Sequence, residues 1–215
     1  MTFLITAGPT REPIDPVRYI SNRSSGKMGY AIAKAALDVG HDVILISGPV
    51  NLARPRNAKV IYVSTSDEMF DAVHQHADEV NVCVLCAAVA DYKPAQVSPV
   101  KIKKRATQLS LELIPTRDIL DSLGRLQNRK FLLVGFAADT DHLEANATKK
   151  LREKNCDIIV ANDARVAMES DENELLILFR DGDTKKISRA PKKNLARELV
   201  KIFSNSQQKS LTKKM

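Results

Sequence analysis

Residues 2–47 read TFLITAGPTREPIDPVRYISNRSSGKMGYAIAKAALDVGHDVILIS. Two short apolar runs, TFLITA at 2–7 and DVILIS at 42–47, flank GKMGYAIAKAALDVG at 26–40, where small and apolar residues recur at helical spacing. Strand, helix, strand is the unit of a parallel sheet, because parallel neighbours need a crossover and a helix supplies it. Ser24 and Ser25 stand as cap candidates before the helix, and Gly40 stops it. The connection after the first strand is long for such a unit. It holds Pro9, Pro13 and Pro16, Arg11, Arg18 and Arg23, and Asn22.

The same alternation runs on towards the C-terminus. VIYVS at 60–64 predicts a third strand, and Ser66 is placed to cap a helix to about Val80, with Met69, Phe70, Val73 and Ala77 on its inner face. VCVLCAA at 82–88, FLLVGFAA at 131–138 and DIIVAN at 157–162 are apolar enough to predict strands buried on both faces. Residues 89–115 show no helical period and read as a flap; within them QLSLELIP alternates like an exposed or edge strand. Helices are expected from Thr116 to about Leu126, from about Asp141 to Lys154 and over about 192–204, and ELLILFRDGDTKKISRA reads as a hairpin turning at Asp181-Gly182-Asp183. The expectation is one doubly wound, Rossmann-like α/β domain over 1–205. Its sheet is mostly parallel, with an antiparallel hairpin at one edge, and a disordered basic tail follows at 206–215.

The 215 residues are 44% hydrophobic and 27% charged, which suits a globular core without disulfide or metal staples. No stretch approaches the ~18 apolar residues of a membrane span. The N-terminus lacks the charged and apolar regions of a signal peptide, so a cytoplasmic protein is expected. The net charge of +7 is accounted for by KIKKR (Lys101, Lys103, Lys104, Arg105) and by the tail lysines Lys209, Lys213 and Lys214. Aromatics make up only 5% of the chain. A small anionic ligand therefore explains KIKKR better than a nucleic acid, whose binders interleave basic stripes with aromatics. The three cysteines, an odd number, argue against a disulfide framework. Cys83 and Cys86, three apart on a strand, point to opposite faces and read as inert buried thiols. His41, His74, His76 and His142 show no metal-ligand spacing, so no structural zinc is expected.

In an open parallel sheet, ligands bind beyond the carboxyl ends of the strands at the switch point, so the loop after the first strand is the place to look. A G-x-x-x-x-G-K-[ST] phosphate loop would need glycine at 21 and serine or threonine at 28, where the chain has Ser21 and Met28. A dinucleotide fingerprint would need a tight turn between Gly8 and Gly26, and an acidic residue where Ser47-Gly48 ends the second strand; an NADP site using Arg54 or Arg56 stays open. A third reading keeps the phosphate and drops the cofactor. A helix opening at SSGKMG offers N–H groups and a positive dipole end, so Ser24, Ser25, Gly26 and Lys27 form an anion site for a phosphate on a small substrate. Asn22 then has two readings: a donor to an oxyanion that develops during acyl transfer, or the end of a turn.

Three further segments bear on that choice: AAVADYKP at 87–94, KIKK at 101–104, and VGFAADT at 134–140 followed by KLREKNCDIIVANDA. Together with ITAGPTREPIDPVRYISNRSSGKMG they resemble phosphopantothenoylcysteine synthetase, the synthetase part of the bacterial bifunctional coenzyme A biosynthesis protein, over about residues 2–203. The resemblance implies a two-step ligation. The carboxylate of 4'-phosphopantothenate attacks the α-phosphate of CTP, giving an acyl-cytidylate and pyrophosphate. The amine of cysteine then displaces CMP to form an amide. Mg2+ accompanies the nucleotide, and the assembly is a homodimer. Alternatives from other classes are an NADP-binding reductase of the same fold, for which no Ser-Tyr-x-x-x-Lys is present, and a non-enzymatic anion- or nucleic-acid-binding module.

The resemblance also implies roles. Asn22 holds the acyl carbonyl, and Lys101 neutralises phosphate charge during activation. Leu85, Cys86 and Ala87 line the nucleotide site through backbone groups, and Asp91 meets ribose or base. Arg117, Asp118, Ile119 and Leu120 form a helix start whose backbone reads the base, and Phe136 packs on the cytosine. Lys150 and Lys154, one helical turn apart, face one phosphate chain. Metal ligands stay unassigned. The helix bearing Ala31, Ala33, Ala35 and Ala36, and the Arg18-Tyr19 segment, are the surfaces expected to meet in the dimer. The chain departs from the family in three places. The decarboxylase half is absent, so the chain is either a stand-alone synthetase or an excised piece. Thr116-Arg117 stands where the family has Asn-Pro before Asp118, and RVAMESDEN after Ala164 lacks a Gly-Phe often seen there.

Overall fold

Every residue from Phe3 to Ala7 is buried, and this run becomes the middle of the sheet. The computed structural model describes residues 1–104, 108–163 and 170–212, with side chains to 209. Arg105, Ala164, residues 165–169 of the RVAMESDEN loop, and Lys213 and Lys214 lie outside the described residues. In chain order the elements are β1 (Thr2–Ala7), β2 (Arg11–Pro13), β3 (Tyr19–Ser21), α1 (Lys27–Asp38), β4 (Asp42–Ser47), β5 (Lys59–Tyr62) and α2 (Ser66–His76), which ends in a 3₁₀ turn, Ala77–Glu79. There follow β6 (Val82–Leu85), β7 (Tyr92–Pro94), β8 (Leu113–Pro115), α3 (Ile119–Gly124), β9 (Leu132–Asp139), α4 (Leu143–Glu153), β10 (Ile158–Asp163), β11 (Glu172–Phe179), β12 (Thr184–Pro191) and α5 (Lys192–Thr212).

The main sheet has eight strands in the order β12-β11-β10-β9-β6-β1-β4-β5. From β10 to β5 all neighbours are parallel; β11 and β12 run antiparallel at one edge. This is the doubly wound sheet with an edge hairpin that the alternation predicts. Helices cover both faces, and β1 divides its side chains between them. Phe3, Ile5 and Ala7 pack with α1 and α5, whereas Leu4 packs with α2, α3 and α4. The same alternation separates the cysteines: Cys83 lies in the second layer and Cys86 against the first. Burial pushes the Cys83 thiol far up and that of Cys86 up to about 12, so neither is a ready nucleophile.

Five local expectations need correction. Thr65, not Ser66, caps α2: its hydroxyl accepts from Glu68 N–H at 3.2 Å, and the Glu68 carboxylate accepts from Thr65 N–H at 3.2 Å. Ser66 is drawn inside because its N–H donates to the buried Glu12 carboxylate at 2.9 Å. Gly26, at φ 75°, caps α1 in place of Ser24 and Ser25; no side chain caps it. Ala33, Ala35 and Ala36 of that helix are buried against the chain's own sheet, which removes them as a dimer surface. Of QLSLELIP only Leu113–Pro115 pairs, with Tyr92–Pro94 and off the main sheet, because every residue of that run is exposed and nothing draws it to the core. The C-terminal helix continues to Thr212, past the end expected near 204 and through most of the proposed disordered tail.

The chain leaves β1 through β4 and β5 on one side, then returns to β6 on the other, so the switch point lies between β1 and β6. Gly29 lets α1 lie on the end of β1: a Cβ there would sit 2.6 Å from that of Ala7. That contact brings the start of α1 over the switch point.

Candidate active site at the switch point

A cavity of about 490 Å³ opens beyond these strand ends. Its floor is the tip of β6. The Thr6 hydroxyl, at the end of β1, accepts from the N–H groups of Cys86 and Ala87, each at 3.1 Å. An unpaired buried N–H costs about 1–3 kcal/mol, so this hydroxyl keeps the turn after β6 in place. It also occupies those two donors; Leu85, Cys86 and Ala87 line the cavity, but the N–H groups of the last two are not free for a ligand.

The long connection after β1 forms a small hairpin, β2 with β3, that stands on this floor. At its foot, Thr10 N–H donates to Ala88 O at 3.2 Å, Ala90 N–H donates to the Thr10 hydroxyl at 3.0 Å, and Asn22 Nδ2 donates to Ala88 O at 2.9 Å. Asn22 is therefore held at the cavity wall. At the hairpin's tip, the buried Asp15 carboxylate accepts from Val17 N–H at 2.8 Å, Arg18 N–H at 2.9 Å, Ile102 N–H at 3.1 Å and the Arg18 guanidinium. Arg18 outweighs burial and, with those N–H groups, holds the Asp15 carboxyl far below the usual carboxylate range. Arg18 also donates to Ile102 O at 2.8 Å. The KIKK segment is thus tied to the tip of the hairpin whose foot carries Asn22. Lys101 is exposed there and does not line the cavity.

The opposite wall is the start of α3. Arg117, Asp118, Ile119 and Leu120 all line it, but the Arg117 fork turns away. It donates to Asp67 at 3.0 Å and Asp71 at 2.8 Å on α2 and lies 4.0 Å over the Phe70 ring. The Arg117 guanidinium is thus engaged with α2. Asp118 caps α3 by accepting from Asp121 N–H at 2.8 Å and pairs with Lys154 at 3.0 Å. Burial works to raise the Asp118 pKa, but those donors outweigh it and hold it below its ordinary value. Lys150 lines the cavity and donates to Phe136 O at 2.9 Å. Lys154 does not line it; its ammonium is drawn to Asp118 and, at 3.7 Å, Asp121. The two lysines thus diverge, although they lie one turn apart. Asp91 and the half-buried Phe136 line the cavity, as do Ser24, Ser25, Gly26 and Lys27. Arg54 donates to Ala58 O at 3.0 Å, and neither it nor Arg56 lines the cavity, so the site lacks the arginine of the NADP reading.

Sequence reasoning missed Thr6, Asn162, Asn173 and Lys192, all of which line the cavity and are at least nine-tenths buried. The one available signal was a lone polar side chain near the carboxyl end of an aliphatic strand, as in TFLITA and DIIVAN. Among the described residues, no three histidine, cysteine, aspartate or glutamate side chains gather as a metal cage, and no helix is long and apolar enough to cross a membrane.

A profile of the DNA/pantothenate metabolism flavoprotein C-terminal domain matches residues 1–206. The chain belongs to that family. Members similar to this DNA/pantothenate metabolism flavoprotein C-terminal domain include the coenzyme A biosynthesis bifunctional protein CoaBC of Haemophilus influenzae, 46% identical over 209 residues that make up 96% of this chain and 52% of that protein. CoaBC of Escherichia coli is 47% identical over 189 residues, 85% of this chain and 47% of that protein. The chain spans about half the length of the curated relatives it matches. A crystal structure of the C-terminal domain of CoaBC superposes with a TM-score of 0.81 at 45% identity, covering 93% of this chain and 92% of the other. The fold recurs, at 23% identity and a TM-score of 0.81, in the DNA/pantothenate metabolism flavoprotein from Streptococcus pneumoniae, over 95% of this chain and 99% of that one.

Proposed function

We propose that this chain is a phosphopantothenate–cysteine ligase of coenzyme A biosynthesis, working in the cytoplasm with CTP as the activating nucleotide. The observation that carries the reading is convergence. One cavity gathers Asn22, the start of α1, Asp91, Phe136 and Lys150 from distant segments, in a chain that matches the CoaBC C-terminal domain over nearly its whole length. A carboxylate is a poor electrophile. Exchange of pyrophosphate for the acid turns it into a mixed anhydride with CMP as leaving group, and the amine of cysteine then attacks.

Asn22 fits the second step. A carboxamide carries two N–H donors. One is spent on Ala88 O, which fixes the plane of the amide; the other is left to meet the acyl oxygen as charge develops on it. Lys101 is assigned to the first step, where the phosphates gain charge at the departing oxygen. Phe136 packs on the base, Asp91 and the α3 backbone read ribose and base, and Lys150 meets the phosphates. The start of α1, with Ser24, Ser25, Gly26 and Lys27, is an anion subsite. Mg2+ favours phosphate and water oxygens, so it is assigned to CTP itself rather than to a protein cage. Pyrophosphate release is the test, with CTP, ATP, GTP and UTP each combined with phosphopantothenate, with and without cysteine. CTP is expected to support release before cysteine is added, with CMP appearing only afterwards. No pyrophosphate release with any nucleotide, or CMP formation without phosphopantothenate, overturns the reading.

The homodimer is proposed on the same family ground and on apolar surface. Val17, Tyr19, Val97 and Val100, on the hairpin and the segment tied to it, are 59%, 48%, 52% and 68% exposed. Sedimentation at micromolar concentration is expected to give twice the chain mass; a monomer throughout removes the dimer.

A further inference from the structure

Lys192, the first residue of α5, has a charged side chain in a place where charge is costly. It is only 8% exposed and lines the cavity. Lysines are seldom so buried. Its backbone N–H donates to Asp171 O at 2.9 Å, and the Asp171 carboxylate pairs with Lys27 at 2.6 Å. Lys27 lines the same cavity. Burial first, then the neighbouring Lys27, pushes the Lys192 ammonium below its ordinary pKa, while Asp171 offsets part of that. Two ammonium groups therefore crowd one corner. The carboxylate that pairs with Lys27 is on a side chain that is 82% exposed. An ion pair so open to water holds weakly and exchanges readily for a better anion.

The rest of that corner suits a polyanion. The start of α1 brings its N–H groups close to the strand ends, because Gly26 takes up a φ of 75° and Gly29 leaves the helix in contact with Ala7. Asn162 and Asn173, 7% and 4% exposed, add neutral polar groups. The carboxylates that line the cavity, Asp91 and Asp118, belong instead to the segment after β6 and the start of α3, where ribose hydroxyls and base donors can meet them.

We infer that Lys192, together with Lys27, binds the terminal phosphates of the nucleotide and carries the charge of pyrophosphate as it departs. This rests on the nucleotide-dependent ligation proposed above. In that step a carboxylate oxygen bonds to the α-phosphorus, the bond from that phosphorus to the bridging oxygen breaks, and the electron pair leaves with pyrophosphate, with no proton required. The leaving group gains a negative charge, so a pair of cations beside it binds more tightly in the transition state than in the ground state.

The test compares the wild type with Lys192→Gln in the full chain, reading product inhibition by inorganic pyrophosphate and, in separate titrations without the acid, affinity for CTP and for CMP. The variant is expected to weaken pyrophosphate inhibition and CTP binding by about tenfold or more, and to leave CMP binding and the KM for phosphopantothenate within about twofold. Lys192→Arg is expected to recover part of the loss. A raised KM for phosphopantothenate with unchanged pyrophosphate inhibition places the acid's phosphate in this corner and overturns the inference. A parallel loss of CMP affinity and melting temperature makes Lys192 merely structural and also overturns it. Failure of the ligation itself would appear differently, as a wild type that releases no pyrophosphate from any nucleotide, while the CTP-against-CMP titration still reads Lys192.

Discussion

Lys101→Gln is expected to lower pyrophosphate release from CTP and phosphopantothenate by about 10²–10³, the usual effect of removing one group aimed at developing charge. The variant keeps a polar side chain, one atom shorter, and removes the cation. Its fold is expected to be intact, because Lys101 is exposed and the ties that hold its segment, Asp15 to Ile102 N–H and Arg18 to Ile102 O, run through the neighbouring backbone. The structure makes this prediction demanding. Lys101 stands at the tip of the β2–β3 hairpin and Asn22 at its foot, and the chain from Arg18 to Asn22 spans on the order of 13 Å when extended. To act on the phosphates, the lysine must come in over the cavity from that tip. Lys103→Gln and Lys104→Gln are the controls, expected to stay within about twofold of wild type, whereas a diffuse positive field would treat the exposed lysines alike. Equal losses in all three variants reduce KIKK to a diffuse positive field. Full activity in Lys101→Gln removes the lysine from the reaction.

What could be read from the chain divides along physical lines. The parallel core was legible because its strands are buried on both faces, which leaves continuous aliphatic runs such as FLIT, VILI and IIVA with little else they could form. The edge hairpin was legible because Asp181-Gly182-Asp183 is turn chemistry between two alternating runs, and Gly182 does adopt a positive φ of 98°. The β2–β3 hairpin was not. Its strands are three residues each, β2 ends in Pro13, and its stability comes from Asp15 and Arg18 rather than from any pattern of apolar residues. The α2 cap was misplaced by one position because Glu12, 54 residues away, takes the Ser66 N–H, and no local pattern announces so distant a partner.

The site was legible where backbone or loop chemistry carries it and obscure where burial does. Asn22, Ser24, Ser25, Gly26 and Lys27 stand in a loop too polar and too long to be mere connection, and the structure gathers them at one cavity. Thr6 sits among aliphatic neighbours in β1, and its hydroxyl matters only because β6 arrives beside it in the sheet register. Lys192 opens a helix that looks surface-bound in sequence, and its burial follows from α5 packing across α1 on the same face of the sheet. Lys150 and Lys154 show the opposite failure. Spacing puts both on one side of α4, yet Asp118 and Asp121 on α3 draw only the second away.

Asn22→Asp is expected to leave pyrophosphate release near the wild-type rate and to slow amide formation by about 10²–10³. The substitution changes almost no volume, so its effect is electronic. In the wild type one amide hydrogen is given to Ala88 O and the other is free to stabilise the acyl oxygen. A carboxylate accepts only. It faces the Ala88 carbonyl acceptor to acceptor, which swings it off its anchor, and it sets a negative charge beside the oxygen that is to become negative. Both effects oppose attack by cysteine and neither touches the phosphorus centre, so acyl-cytidylate should accumulate on the variant. Rapid quenching of a reaction with CTP and phosphopantothenate, followed by a cysteine chase, measures the two steps separately. Asn22→Ala is expected to be slowed less than Asn22→Asp, because it removes the donor without adding the repulsion. If Asn22→Asp and Lys101→Gln stop the reaction at the same step, the residues share one task and the division between activation and acyl transfer fails. If Asn22→Asp releases CMP as fast as wild type, the bond to Ala88 only ends a turn.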